Sequence, residues 1–256
     1  MKSIRYLLVD IKIIFRMPIS VFFTMAYPVI MMIIIMVSYG NIDIGSGYHL
    51  IDKYFMVTIG MGLLPLALVS FPIWIASSME DNSLKRLTYF DVPFSTIVSA
   101  DTMAHFVIAF ISIFLNITFG MIFYGLKLPS ALYFLTFILQ YMIALIVCMI
   151  CGAFMALLLP KVQALMPVGL VLMFSLYMLC GVFINYDELP QTIRSVSQVF
   201  PIKYAMNDFF DIWTQEKYLD MKFLALSLIY IVVFGAGLAV ESKIKFKKWH
   251  VSKREF

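Results

Sequence analysis

The sequence predicts an all-α membrane protein with six transmembrane helices. Three observations predict it: six long apolar runs, a scarcity of charge, and an uneven distribution of Lys and Arg between alternate loops. A hydrocarbon core about 30 Å thick is crossed by about 20 apolar residues of helix. Runs of that length lie at Ile19–Ser38, Phe55–Ser77, Met103–Tyr124, Ala131–Leu159, Leu165–Ile184 and Phe223–Val240. Hydrophobic residues make up 62% of the 256, and only 13% are charged, against about 25% in soluble domains. Lipid offers backbone amides no partner, so each run has to be helical.

The first element, residues 1–17, is an amphipathic helix that reads as an elbow. Ile4, Leu7, Leu8, Ile11, Ile14 and Phe15 recur at three- and four-residue spacing, while Lys2, Arg5, Lys12 and Arg16 avoid that stripe. Such a helix lies in the headgroup region, apolar face down. Pro18 then allows a turn into the first span, since proline is tolerated in a helix's first turn. The apolar run that follows is too long for a signal peptide, and no small-residue cleavage site follows it.

Loop charge sets the orientation. With a cytoplasmic N-terminus, thirteen Lys and Arg fall on the inner side and six (Lys53, Lys127, Arg194, Lys203, Lys217, Lys222) on the outer side. The bias of basic residues toward the cytoplasm favours this arrangement, with both termini inside the cell membrane. The net charge of +4 therefore reflects topology and gives no sign of nucleic-acid binding. The basic tail, residues 242–256, alternates cations with apolar residues and suits a stop-transfer anchor on an anionic leaflet.

Loops after the third and fourth spans are short, which makes those helices antiparallel neighbours of the next. Two segments are longer. In Ser78–Asp101, on the cytoplasmic side, Asn82 or Ser83 can cap a short helix with Glu80 and Asp81 near its positive end. Leu84 and Leu87 fall together, Lys85 and Arg86 face away, and Pro93 ends the element. In the outer segment 185–222, Leu189, Ile193, Val196 and Phe200 have helical spacing before Pro201, and apolar character resumes at Tyr204, Phe209, Ile212 and Trp213. Two short helices meeting at a proline predict a hairpin re-entering the outer leaflet. A disordered loop holds far less apolar content.

Chemistry-bearing constellations are scarce. Cys148, Cys151 and Cys180 lie in apolar runs, where cysteine packs as a small hydrophobe, so the C-x-x-C reads as packing and not as a redox pair. The three histidines sit near membrane edges, and no H-E-x-x-H or D-D-x-x-D occurs, which argues against an intramembrane enzyme. Asn116 and Gln140 are the polar groups deepest in the spans, and Asn116 is expected to bond across helices. No charge lies mid-span, where a proton- or ion-coupled carrier would need one. Asp101 and His105 are expected to pair locally.

Taken together, these features resemble the permease subunits of type 2 ABC exporters, over almost the whole chain. The resemblance rests on the elbow, the six spans, the segment Glu80-Asp81-Asn82-Ser83-Leu84-Lys85-Arg86-Leu87 with Pro93, and Gly181-Val182-Phe183-Ile184-Asn185 with Pro190 and Pro201. Asn82 departs from the family's usual glycine, and Asn185 stands near its usual first proline. The resemblance implies that 18–241 is the permease domain, that 78–101 carries a coupling helix, and that Glu80 through Leu87 dock on an ATPase. No G-x-x-x-x-G-K-[ST] loop is present, so ATP and Mg belong to two partner ATPase subunits and not to this chain. A second permease subunit, identical or homologous, is implied as well. The 24 phenylalanines and 19 methionines make adaptable apolar surfaces. They point to export of hydrophobic drugs or amphipathic, including cytolytic, peptides, as in multidrug, bacteriocin and phenol-soluble modulin exporters. Phe22, Phe23, Met61, Phe71, Met173 and Tyr177 are the candidates for the cargo path, and Gly181, Pro190 and Pro201 shape the outer hairpin. The alternatives are an ion-coupled secondary carrier, or an ABC exporter of a lipid or polysaccharide.

Overall fold

Helices at Phe22–Tyr39, Leu50–Glu80, Thr96–Tyr124, Ala131–Leu158, Val162–Leu179 and Met221–Glu241 are long and apolar enough to cross a membrane. They are called here the first to sixth spans. The computed structural model describes residues 2–15, 21–81 and 94–251. An N-terminal helix, Lys2–Phe15, precedes the spans, the third helix begins at Phe94, and the sixth continues to Val251.

Two boundaries differ from the apolar runs. The second span starts at Leu50, ahead of Phe55, because Asp52 organises its first turn. Its carboxylate accepts the His49 amide at 2.8 Å and the Lys127 amide at 2.9 Å, satisfying orphan donors and tying in the loop after the third span. The fifth span stops at Leu179, short of Ile184, because Gly181 takes φ +80°. The Val182 amide then reaches back to the Tyr177 carbonyl at 3.0 Å, the wrap of a Schellman cap. A Cβ on Gly181 would stand 2.9 Å from the Tyr186 backbone, so only glycine fits.

Among the described residues, one element is not helical. Between the first two spans, β1 (Asp43–Gly45) pairs antiparallel with β2 (Tyr48–His49). Gly45, Ser46 and Gly47 all have positive φ, which permits the tight turn.

The second span is the axis of the bundle. From Leu50 to Ser70 only Lys53 and Val69 escape full burial, and this helix packs against the first, third, fourth and fifth spans. The sixth span packs mainly on the fourth, leaving Leu228, Ile229, Val232 and Val233 exposed. Exposed apolar residues also mark the first span (Ile30, Ile34, Val37) and the fifth (Val168, Val171, Met178).

Small residues let helices close on this axis. A Cβ on Gly152 of the fourth span would run into the Ala67 carbonyl, and one on Gly169 of the fifth would stand 2.7 Å from the Leu68 carbonyl. Such close approach is how helices associate where lipid removes the hydrophobic drive. Gly235, in contrast, has nothing within 4 Å of its Cβ position. Gly152→Ala is expected to cost about 1–3 kcal/mol of stability through overpacking, while Gly235→Ala stays within error of the parent. Thermal unfolding in detergent reads the difference.

Candidate functional site

The second span carries two internal prolines, Pro65 and Pro72, and the first carries Pro28. Proline has no amide hydrogen, so each strands the carbonyl four residues earlier: Met61, Leu68 and Thr24. In the first span the Ser112 hydroxyl of the third span donates to the Thr24 carbonyl at 2.6 Å, and Gly62 of the second span approaches the same oxygen. In the second span the Tyr177 hydroxyl of the fifth donates to the Met61 carbonyl at 2.6 Å. The Leu68 carbonyl faces Gly169, which offers only a weak Cα–H contact. Around these breaks the helix widens into π turns, Phe22–Ala26 and Leu66–Ser70, a deformation often found at functional positions.

At the α-helical end of this axis, Glu80 accepts the amide of Val162 through its carboxylate at 3.2 Å. Val162 is the first residue of the fifth span, so a negative charge sits on that helix's positive end. Asp81 caps the second span, its amide reaching the Ser77 carbonyl at 2.9 Å and its carboxylate accepting from the Ser77 hydroxyl at 3.4 Å. Asn82, Ser83, Leu84, Lys85, Arg86, Leu87 and Pro93 lie outside the described residues, as does Arg16.

At the same end, the N-terminal helix packs along the third span. Ile11 and Ile14 turn toward the protein, whereas Leu8 and Phe15 of the same stripe stay exposed. Asp10 approaches Asp101 and His105, both fully buried. His105 Nδ1 stands 2.9 Å from the Asp101 main-chain carbonyl and 3.3 Å from its Oδ2, and its ring meets Phe71 edge-on at 5.2 Å. Among the described residues, both Asp101 carboxylate oxygens and His105 Nε2 lack a hydrogen-bond partner. The local pairing read from the i, i+4 spacing is therefore present, with a third titratable group added by the N-terminal helix. Burial, then the Asp101 carboxylate, push the Asp10 carboxyl up to about 6, with His105 acting in the opposite direction.

At the opposite end, the segment after the fifth span folds as two limbs. Pro190 precedes the helix Gln191–Ser197, and Pro201 opens Pro201–Lys203, which continues as a π turn Tyr204–Asp208 and a helix Phe210–Trp213. The second limb is buried: Trp213 packs on Phe55 at 5.0 Å and Phe137 at 5.2 Å, and Phe209 meets Phe223 at 4.9 Å. Met206 occupies the space a Cβ of Gly60 would take, about 15 Å along the second span from Leu50. Lys203, nearly buried, binds Asp208 through both oxygens (2.7 and 2.9 Å) and lies over the Tyr186 and Tyr204 rings.

Of the six residues read as a cargo path, Met61, Phe71, Met173 and Tyr177 are buried in the core of this one chain. Met61 and Tyr177 are brought together through the carbonyl bond. Phe22 and Phe23 form a separate aromatic group with Tyr27, and only Phe22 has a large exposed face. Asn116 does not bond across helices: its amide donates to Ser112 of its own helix at 2.8 Å, and the bond that crosses belongs to Ser112. Gln140 holds the approach to the sixth span, accepting the Asp220 amide at 2.9 Å. The cysteines are free, two buried and Cys151 half-buried.

Six spans and a pinned second helix fit many transporters, and the comparison with protein families decides between them. Residues 7–214 match the model of the ABC-2 type transporter family. The chain belongs to that family. It is thus a multi-pass membrane subunit of an ABC transporter, a family whose membrane subunits partner an ABC ATPase. Comparison with curated proteins and with solved structures gives no significant match. In this ABC-2 subunit the match begins within the N-terminal helix and ends just past Trp213, so it takes in both Asp10 and the second limb.

The raised Asp10 pKa gives docking of the N-terminal helix a pH dependence. The docked state holds the proton more tightly, so docking is strongest below about pH 4, the ordinary carboxylate range, and weakens as pH rises through about 6. A fluorophore at exposed position 8 should report this loosening, and Asp10→Asn should flatten the profile. An equally steep profile in the variant would exclude Asp10 as the titrating group.

Proposed function

We propose that the chain is the transmembrane subunit of an ATP-driven exporter that moves hydrophobic or amphipathic cargo, a drug or an amphipathic peptide, out of the cell. Two ATPase subunits on the cytoplasmic side bind ATP and Mg, and a second permease subunit, identical or homologous, completes the pathway. The observation that carries this reading is family membership together with the second span's end at Glu80–Asp81, where the sequence enters the segment Asn82–Leu87. Lys85 and Arg86 give that segment electrostatic register on the ATPase, and Leu84 and Leu87 supply apolar contact. The excess of Lys and Arg supports a cytoplasmic location for both termini and for this segment.

Cargo class follows from polarity. Among the described residues, the charges inside the spans cluster toward helix ends (Asp52, Lys53, Glu80, Asp101, Lys222, Glu241), and the interior surfaces are aromatic and methionine-rich. An anionic polysaccharide would call for a lining of cations, whereas adaptable apolar side chains suit amphipathic molecules. Phe22 is reachable in the single subunit. Phe71, Met61, Met173 and Tyr177 become reachable when the fifth span parts from the second. The limb Pro201–Trp213, with its buried aromatic face and the turn at Pro201, acts as a re-entrant stopper on the outer side.

The test is co-purification with the partner ATPase, followed by an ATPase assay with amphipathic peptides. Leu84→Asp with Leu87→Asp is expected to abolish association while leaving the subunit folded. Full ATPase association in that variant, or cargo movement that persists without nucleotide, would overturn the reading.

A further inference from the structure

The second and fifth spans meet at three levels, and each contact uses a backbone group that helix geometry leaves unsatisfied. At one end Glu80 takes the first amide of the fifth span, at 3.2 Å. In the middle Gly169 lies on the Leu68 carbonyl, which Pro72 has stranded. Further along, the Tyr177 hydroxyl takes the Met61 carbonyl, which Pro65 has stranded, at 2.6 Å. Between those prolines the Phe71 amide turns to Leu66 in a π turn, so Ala67 loses its α-helical donor as well, and Gly152 covers it.

We propose that Tyr177 is a positioning residue of the transport cycle: its hydroxyl replaces the amide that Pro65 lacks and holds the fifth span to the second across the proline hinge. The inference rests on the exporter reading for its role in transport, but its chemistry belongs to this chain alone. A helix missing donors at residues 65 and 72 bends between them at lower cost than a regular one. A bend there changes the angle between the segment ending at Glu80 and the half that bears Met61. The fifth span, tied at Glu80 and at Met61, follows both halves, and Gly169 has no Cβ to catch on the bend. Tyr177 makes the tie beside the proline, through one side-chain hydrogen bond at the end of a buried ring. Tyr141 supplies the internal control. Its hydroxyl also bonds the second span, at the Ile59 carbonyl (2.6 Å), but Leu63, the ordinary donor to Ile59, is not a proline.

A mutant cycle tests this in the full chain by hydrogen exchange over the second span. Tyr177→Phe keeps the ring and removes the hydroxyl, and is expected to speed exchange at residues 62–71 by roughly three- to tenfold, the range for a lost interhelical bond that leaves a buried carbonyl unpaired. Pro65→Ala returns an amide to Met61, so in that background Tyr177→Phe should change exchange by less than about twofold. Tyr141→Phe should act alike in both backgrounds. Equal effects of Tyr177→Phe with and without Pro65 would overturn the inference. Should Tyr177→Phe alone fail to fold, Pro65→Ala/Tyr177→Phe is expected to fold, and failure of both overturns it as well. In the assembled transporter, Tyr177→Phe is expected to lower export per ATP hydrolysed, and unchanged export would exclude the positioning role. Lack of an ATPase partner would sink the exporter reading but leave the Pro65–Tyr177 coupling measurable.

Discussion

A proline inside a membrane-spanning helix strands the carbonyl four residues before it, and lipid supplies no hydrogen to repair the loss. In this subunit the repair comes from neighbouring spans. Ser112 serves the carbonyl opposite Pro28, and Tyr177 serves the one opposite Pro65. Glycines 62, 152 and 169 close on the carbonyls of Thr24, Ala67 and Leu68. The bundle's interhelical geometry follows from these demands, because each partner has to come to a fixed point on another backbone.

That arrangement explains why the second span is central and why it is irregular. A helix with intact bonds could sit anywhere in the ring. One with several open acceptors is surrounded by the helices that fill them, and it bends where they do. The same segment ends at Glu80, which fastens the start of the fifth span. An axis bound to its neighbours at defined heights, with a break between them, is suited to passing displacement from one membrane face to the other.

The two ends of the bundle differ in chemistry. At the N-terminal helix, a buried Asp101–His105 pair with a third carboxylate beside it leaves polar atoms unpaired, a costly arrangement that makes docking sensitive to protonation. At the other end ion pairs and hydroxyl bonds dominate, Lys203 with Asp208, Asp211 with Lys217 and Tyr186 with Ser197, while Arg194 Nε and Trp213 Nε1 lack a hydrogen-bond partner among the described residues. There the aromatic limb from Pro201 to Trp213 is inserted among Phe55, Phe137 and Phe223, and so belongs to the core.

Much of this was legible from residue order. Hydrocarbon thickness fixes helix length, so the six apolar runs gave six spans. Proline and glycine fix local breaks, and helix boundaries do fall at Gly181, Pro190 and Pro201. The stranded carbonyls are equally readable, since they lie four residues before each proline. Their partners are not: nothing local says that Tyr177 serves Met61, that Ser112 and not Asn116 reaches across, or that Glu80 holds Val162. The short β-ribbon before the second span escaped because two-residue pairing carries no periodic signal. The cargo candidates show the same limit, for apolar character at Met61 and Met173 does not distinguish a lining from a core. Composition and spacing determine what each backbone segment must become, because those constraints act within a few residues. Which distant side chain completes a broken bond depends on how whole helices pack, and only the tertiary structure decides it.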